Sequence, residues 1–195
     1  MRETGKGRLV ILSGPSGSGK TTIVRELLAR GDLNLQLSVS ATTRKPRAGE
    51  KPGAHYHFLT PEEFHRKIDD GEFLEYVEVF RTGHWYGTLQ EEVDRRLNGG
   101  IGVLLEIDVE GAMKVVERYP DAITIFLSPD SAEELERRLR ARGTETEEAI
   151  QRRLSVASEE TAQAHRYEFQ VINRVDQTDA TVQEIANILL HQRNR

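Results

Sequence analysis

The chain has 195 residues, enough for one domain with a full hydrophobic core, and 30% of them are charged. Its net charge of −5 excludes the uniformly basic surface of a protein that coats nucleic acid, and the lack of cysteine excludes disulfides, thiolate metal sites and thiol catalysis. No run approaches the ~20 apolar residues of a membrane helix, and the N-terminus does not resemble a signal peptide. The sequence therefore predicts a cytoplasmic protein that binds neither membranes nor nucleic acid.

Hydrophobic periodicity and capping signals predict strands that alternate with helices. The first half is predicted to contain a strand at 8–13, a helix at 20–30, a strand at 35–41, a helix at 60–71 and a strand at 72–80. The second half is predicted to contain a strand at 102–108, a helix ending at 119, a strand at 122–127, helices at 131–143 and 146–164, a strand at 169–173 and a helix at 178–191.

Alternating strands and helices predict an α/β fold, with a parallel sheet covered by helices on both faces. Two stretches do not fit this alternation. Residues 38–88 are polar and mix strand with loop, whereas residues 131–164 form a charged helical pair. We expect both to be insertions at the ligand-binding edge of a core made of 1–37, 89–130 and 165–195.

The segment after the first strand matches the phosphate-binding pattern G-x-x-x-x-G-K-[ST], as Gly14-Pro15-Ser16-Gly17-Ser18-Gly19-Lys20-Thr21. Glycines let successive main-chain N–H groups point at phosphate oxygens, and the following helix adds its positive N-terminus. A flexible turn with an incidental lysine is the alternative, but the flanking strand and helix favour a P-loop. These eight residues and Thr22 are the candidate ATP-binding residues.

A second group of polar residues lies between 38 and 58. Arg44 and Arg47 flank a proline that keeps the loop out of a helix, and paired guanidiniums on a stiff loop can bind phosphate. Ser40 and Tyr56 add hydroxyl groups. Spacing alone leaves a solvated basic turn as an open alternative.

These residues, taken with others further along the chain, resemble guanylate kinase. The resemblance is carried by the P-loop, the run from Ser38 to Glu50, Tyr86-Gly-Thr88, Glu106-Ile-Asp108-Val-Glu-Gly111 and Arg142-Gly-Thr-Glu-Thr-Glu-Glu148. It implies a three-layer P-loop NTPase fold whose insertions are a GMP-binding region at 38–88 and a lid at 131–164. It also implies transfer of the γ-phosphoryl group of ATP to GMP, within purine nucleotide metabolism and GMP recycling.

The resemblance assigns further residues to the acceptor nucleotide. The implied GMP-binding residues are Ser40, Arg44, Arg47, Tyr56, Glu75, Tyr86, Thr88 and Asp108. A carboxylate such as Glu75 can accept both the ring N–H and the amino group of guanine, which adenine does not present together. Without the resemblance, Glu75 would be interpreted as an exposed strand carboxylate.

Glu106 and Asp108 end an apolar strand, as in a Walker B strand. Parallel sheets bind ligands at that edge, so one of these acids could contact the acceptor or hold Mg²⁺ through water. The expected cofactor is Mg²⁺ with ATP, bound by Thr21. Many family members have Asp at the position of Glu106, and usually an acid at the position of Arg174. The alternative for Glu106 and Asp108 is two solvated acids at a strand end.

The predicted helical pair is rich in arginine. Arg138 and Arg142 share one helical face and Arg153 lies on the next helix, and matching arginines in the family close over the triphosphate. A solvated helix with Glu–Arg pairs would give the same pattern. The implied catalytic residues are Lys20, Arg44, Arg138, Arg142 and Arg153.

Two other functions remain as alternatives. One is an interaction module of guanylate-kinase-like fold that binds phosphorylated peptide, although the intact Gly19-Lys20-Thr21 argues against it. The other is a P-loop kinase with a different phosphate-bearing acceptor. The expected partners are ATP and GMP, and the sequence leaves both a monomer and a homo-oligomer open.

Overall fold

The computed structural model describes residues 7–78, 83–141 and 146–193. Its strands are β1 (Leu9–Ser13), β2 (Leu35–Leu37), β3 (Ala41–Thr42), β4 (His57–Phe58), β5 (Phe73–Glu78), β6 (Trp85–Leu89), β7 (Gly102–Glu106), β8 (Ile123–Pro129) and β9 (Phe169–Asn173). Its helices are α1 (Lys20–Ala29), α2 (Pro61–Asp69), α3 (Gln90–Asn98), α4 (Val109–Arg118), α5 (Ala132–Ala141), α6 (Glu147–Ala162) and α7 (Thr178–Arg193).

A parallel sheet of five strands, in the order β2-β7-β1-β8-β9, forms the core. Successive side chains of a strand point to opposite faces, so Val10 and Leu12 pack with α1 and α7, whereas Leu9 and Ile11 pack with α3 and α4. Both faces of the central strands β1, β7 and β8 are largely buried, which explains why these three strands are mostly apolar runs. The predicted α/β fold with a parallel sheet and helices on both faces is confirmed.

A second sheet has four strands in the order β4-β3-β6-β5, and it lies within residues 41–89. Its small core is built on Phe64 of α2, which stacks on Phe73 with ring centroids 4.4 Å apart. The predicted capping box begins α2, because Thr60 and Glu63 each accept a hydrogen bond from the other's main-chain N–H.

Helices α5 and α6 form a separate pair that packs through Leu135, Leu139 and Ala157. Leu135 and Leu139 also lie beside Gly17, where an added Cβ would come within 2.9 Å and 3.3 Å of them. The helical pair is therefore packed on the P-loop. Among the described residues, no helix combines the length and apolar character that a membrane span requires.

The predicted strand at 35–41 is wrong as a single element. The chain pairs with β7 only through β2, then donates from the Ser38 N–H to Leu104 O at 2.9 Å and crosses to the second sheet, where β3 begins. The alternation of apolar and polar residues continues across this crossing, so periodicity alone predicts one strand.

Several element bounds differ from the prediction. The strand predicted at 102–108 ends at Glu106, because Asp108 is already the N-cap of α4. Helix α3 was not predicted; its N-cap is Leu89, which offers no side-chain cap, and only Val93 and Leu97 are buried apolar residues. The predicted ends at Phe80 and Gly143 lie outside the described residues.

Candidate active site

The P-loop is shaped by glycines that no other residue could replace without strain. Gly14, Gly17 and Gly19 have φ values of +143°, +97° and +96°. A Cβ at Gly14 would lie 2.2 Å from Leu127 O, and one at Gly19 would lie 2.3 Å from Asn173 Nδ2. The loop is therefore held against β8 and β9 in a left-handed backbone that glycine adopts readily.

Two side chains that follow the glycines contact oxygen atoms. Lys20 Nζ donates to Gly14 O at 2.6 Å and to Pro15 O at 3.1 Å, so its ammonium group lies on the loop. Thr21 Oγ1 donates to Glu106 Oε1 at 2.7 Å, which joins α1 to the end of β7. A hydroxyl and a carboxylate are the hard oxygen ligands that Mg²⁺ prefers, so this pair fits the ion expected with ATP.

One cleft of about 940 Å³ runs from the P-loop to the second sheet. The sequence-predicted residues that line it are Gly14, Ser16, Gly17, Gly19, Lys20, Thr21, Thr22, Ser40, Tyr56, Glu75, Tyr86, Glu106, Asp108 and Arg153. Those outside its lining are Pro15, Ser18, Arg44, Arg47, Thr88 and Arg138. The cleft thus joins the predicted ATP and GMP regions in a single space.

At the far end of the cleft, Glu75 and Thr88 are cross-strand partners on β5 and β6. They are 5% and 1% exposed, and Thr88 Oγ1 donates to Glu75 Oε1 at 2.6 Å. Burial raises the pKa of the Glu75 carboxyl to about 7, with nearby Asp108 contributing in the same direction. Glu75 is therefore a buried acid at the cleft wall, with a hydrogen bond from Thr88 to one of its two oxygens. The interpretation as an exposed strand carboxylate is wrong.

Arg44 lies behind two tyrosines of the cleft wall. Its Nε donates to Tyr86 Oη at 3.1 Å, and its guanidinium carbon is 5.5 Å from the centre of the Tyr56 ring. Arg47 differs from Arg44, because it is exposed and its main-chain N–H donates to Glu50 Oε2 at 2.7 Å. Of the predicted pair, Arg44 therefore packs against residues that line the cleft, whereas Arg47 is exposed.

Asp108 is both an N-cap and a cleft residue. Its Oδ1 accepts the Gly111 N–H at 2.7 Å, which holds the carboxylate at the start of α4. A Cβ at Gly111 would lie 3.0 Å from Glu75 Oε2 and 3.1 Å from Asp108 Oδ1, so glycine there lets the two carboxylates approach. Glu106, the last residue of β7, and Asp108, two residues later, both line the cleft, as their place at the sheet edge predicts.

Two arginines of the helical pair α5–α6 reach the P-loop in this structure. Arg153 Nη2 donates to Ser16 Oγ, and Arg138 places its Nη1 3.4 Å from Ser18 O while its Nε donates to Glu134 at 2.6 Å. Arg137 and Arg140 instead pair with glutamates of the helices and are exposed. The predicted Glu–Arg pairs are therefore present for Arg137, Arg138 and Arg140, but only Arg138 of these three also reaches the P-loop. Arg142 lies outside the described residues.

Glu160 is a cleft residue that the sequence analysis did not single out. It is half-buried, and burial raises the pKa of its carboxyl to about 7 against the opposing effect of Lys20. Arg153, Val156 and Glu160 all line the cleft at spacings of three and four along α6. That spacing marks one helical face and could have identified Glu160 once Arg153 was chosen.

Comparisons with known proteins identify a family and relatives that match this chain. The guanylate kinase family profile matches residues 6–192. Guanylate kinase from Rhodopirellula baltica is 52% identical over 96% of this chain and 89% of its own, and that from Prochlorococcus marinus is 47% identical over 93% and 96%.

Solved structures give the same result. The crystal structure of guanylate kinase from Anaplasma phagocytophilum covers 96% of this chain and 87% of its own, with 34% identity and a TM-score of 0.76. The SH3-kinase fragment of tight junction protein 3 covers 100% of this chain and 61% of its own at 14% identity and a TM-score of 0.54, a likeness of fold alone. With a family profile matched from residue 6 to residue 192, this chain belongs to the guanylate kinase family.

Proposed function

We propose that this protein transfers the γ-phosphoryl group of ATP to GMP, giving ADP and GDP. The observation that carries the proposal is the cleft that is lined both by the P-loop and by Glu75, whose carboxylate accepts a hydrogen bond from Thr88. A donor triphosphate and an acceptor nucleotide bound at these ends would share one enclosed space, which supports direct transfer between them.

The P-loop end is the proposed ATP site. Its main-chain N–H groups and the N-terminus of α1 would bind phosphate oxygens, and Lys20 would exchange loop carbonyls for the β- and γ-phosphates. Thr21 would hold Mg²⁺, with Glu106 directly or Glu106 and Asp108 through water, and the ion would supply charge neutralisation for the triphosphate.

The opposite end is the proposed GMP site. Arg44, Tyr56 and Tyr86 form a cationic and hydroxyl-bearing wall suited to the GMP phosphate, to which Ser40 and Arg47 would add donors. Glu75 would accept the ring N–H and the amino group of guanine. Thr88 already donates to Glu75 Oε1, which fixes the carboxylate for this contact. Asp108 would contact the acceptor from the neighbouring strand end.

The proposed mechanism needs no strong general base, because phosphoryl transfer depends on positioning and on cations. Arg138, Arg142 and Arg153 would neutralise charge on the transferred group. We further propose that residues 38–88 and the lid at 131–164 close over the core and exclude water that would hydrolyse ATP. ATP and GMP are cytoplasmic metabolites, so we place the enzyme there.

An assay of ADP release tests this proposal against its alternatives. With Mg²⁺ and ATP, we expect rapid release with GMP, and release at least ~100-fold slower with AMP, with UMP or without acceptor. Rapid release with another monophosphate would indicate a different acceptor. Absence of release with every acceptor would favour the interaction module.

A further inference from the structure

Glu50 makes a paired contact with the arginine that we place at the acceptor phosphate. Arg44 Nη2 donates to Glu50 Oε1 at 2.9 Å and Arg44 Nη1 donates to Glu50 Oε2 at 3.0 Å. The two side chains are only 12% and 18% exposed. This parallel, bidentate geometry fixes the plane of the guanidinium as well as its position.

The remaining contacts of Arg44 limit what it can offer a ligand. A guanidinium has five N–H groups. Those of Arg44 donate to Glu50 twice, to Tyr86 Oη through Nε, and to Lys45 O at 2.7 Å through Nη1. Within the part of the chain that the structure describes, one Nη2 N–H is left for the acceptor.

Glu50 is itself held by a contact that does not involve Arg44. Its Oε2 accepts the Arg47 N–H at 2.7 Å, and its own N–H donates to Arg47 O at 3.1 Å, so residues 47–50 form a closed turn. These contacts, that with Arg44 foremost, lower the pKa of the Glu50 carboxyl to about 2. The carboxylate is therefore ionised at neutral pH, as a salt bridge with Arg44 requires.

We propose that Glu50 is a positioning residue for the acceptor phosphate, holding Arg44 so that it presents its charge and a single N–H, with Tyr86 locked beside it. The inference rests on the proposed binding of GMP at this end of the cleft. Glu50 leaves the local group of Arg44, Arg47 and Glu50 with a net charge of +1, so a phosphate is still attracted. The opposite possibility is that Glu50 competes with the phosphate for Arg44. Replacing Glu50 should raise the KM for GMP if Glu50 positions Arg44, and should lower it if Glu50 competes.

Steady-state kinetics of the full chain with Glu50→Gln provide the test. We expect the KM for GMP to rise at least about tenfold, while the KM for ATP stays within about twofold. The inhibition constant of guanosine, which lacks the phosphate, should also stay within about twofold. In an Arg44→Ala background the same change should alter the KM for GMP by less than about threefold, because Glu50 acts through Arg44.

A KM for GMP that is unchanged or lower in Glu50→Gln overturns the proposal, and so does an equal weakening of guanosine. The matched control is Glu72→Gln, which removes an exposed carboxylate paired with Lys67 in the same insertion and should leave every constant unchanged. If circular dichroism shows Glu50→Gln unfolded, Glu50→Asp is judged by the same criteria. Failure of the proposed function is separate, since wild-type protein would then release no ADP with GMP.

Discussion

Glu75 is a buried acid whose proposed contact with guanine would explain why its burial is tolerated. The carboxyl is 5% exposed, and Thr88 donates to only one of its oxygens. Burial disfavours the charged form, which is why its pKa rises from an ordinary 4.5 to about 7. Two donors from guanine would satisfy the carboxylate, whereas a base without them would leave it unpaired.

The raised pKa predicts a pH dependence of acceptor binding. In the proposed site guanine contacts the ionised carboxylate, so the KM for GMP should rise roughly tenfold for each pH unit below about 7 and level off above it. Initial rates between pH 5.5 and 8.5 at saturating ATP would show this. Glu75→Gln should have a higher KM that no longer follows this dependence; an unaltered slope in that variant would assign the titration to another group, such as Glu160.

The raised pKa of Glu75 also predicts that replacing this residue makes the unliganded chain more stable while weakening the proposed binding of GMP. Its pKa is about 7 in the folded chain and about 4.5 unfolded, so its contribution to stability is fully present below pH 4.5 and is lost as the pH rises to 7. At pH 8 Glu75→Gln should therefore be more stable than the wild type by about 1–3 kcal/mol without ligand. Urea unfolding at pH 8 and pH 5 measures this, and the difference should shrink at the lower pH.

At the scale of single elements, α6 carries a cleft-facing side and a solvated side. Arg153 contacts Ser16 of the P-loop and lines the cleft with Val156 and Glu160, whereas Arg152 is exposed. The two arginines are neighbours in sequence but lie about 100° apart around the helix. Arg153 therefore places a cation at the P-loop. Its exposed neighbour Arg152 serves as a control for the loss of one positive charge from the same helix.

Substitution of these neighbours separates a contribution to transfer from one to surface charge. Arg153→Gln should lower kcat roughly 100-fold, since a cation near the transferred group is lost, with a smaller change in the KM for GMP. Arg152→Gln, which removes the same charge from the exposed face, should stay within about twofold of the wild type. Equal losses in the two variants would mean that α6 acts only through its net charge.

The sequence predicted those elements whose signals are local. The P-loop, the capping box of α2 and the apolar strands of the parallel sheet each depend on short patterns, and all are present in the structure. The crossing from β2 to β3 was missed because alternation does not record which sheet a strand joins. The positions of Glu50 against Arg44, and of Thr88 against Glu75, depend on tertiary pairing that no short pattern encodes.

At the scale of the whole molecule, the two proposed substrate sites face one cleft but belong to different parts of the fold. The P-loop belongs to the five-stranded sheet and packs against the α5–α6 pair, whereas Glu75 and Thr88 lie on the second sheet. A ligand that contacts both parts restricts their relative motion. A second ligand then binds to a molecule that is already partly ordered, which is a source of positive coupling between sites.

Thermal unfolding should reveal this coupling. GMP, or a non-hydrolysable ATP analogue with Mg²⁺, each at about 100 times its Kd, should stabilise the chain by about 2.7 kcal/mol. That corresponds to a Tm increase of roughly 5–10 °C for a protein of this size. Both ligands together should raise Tm by more than the sum, because closure benefits both sites. In Lys20→Ala the increase with GMP alone should persist while that with the ATP analogue falls; strictly additive increases in the wild type would contradict closure as the link between the sites.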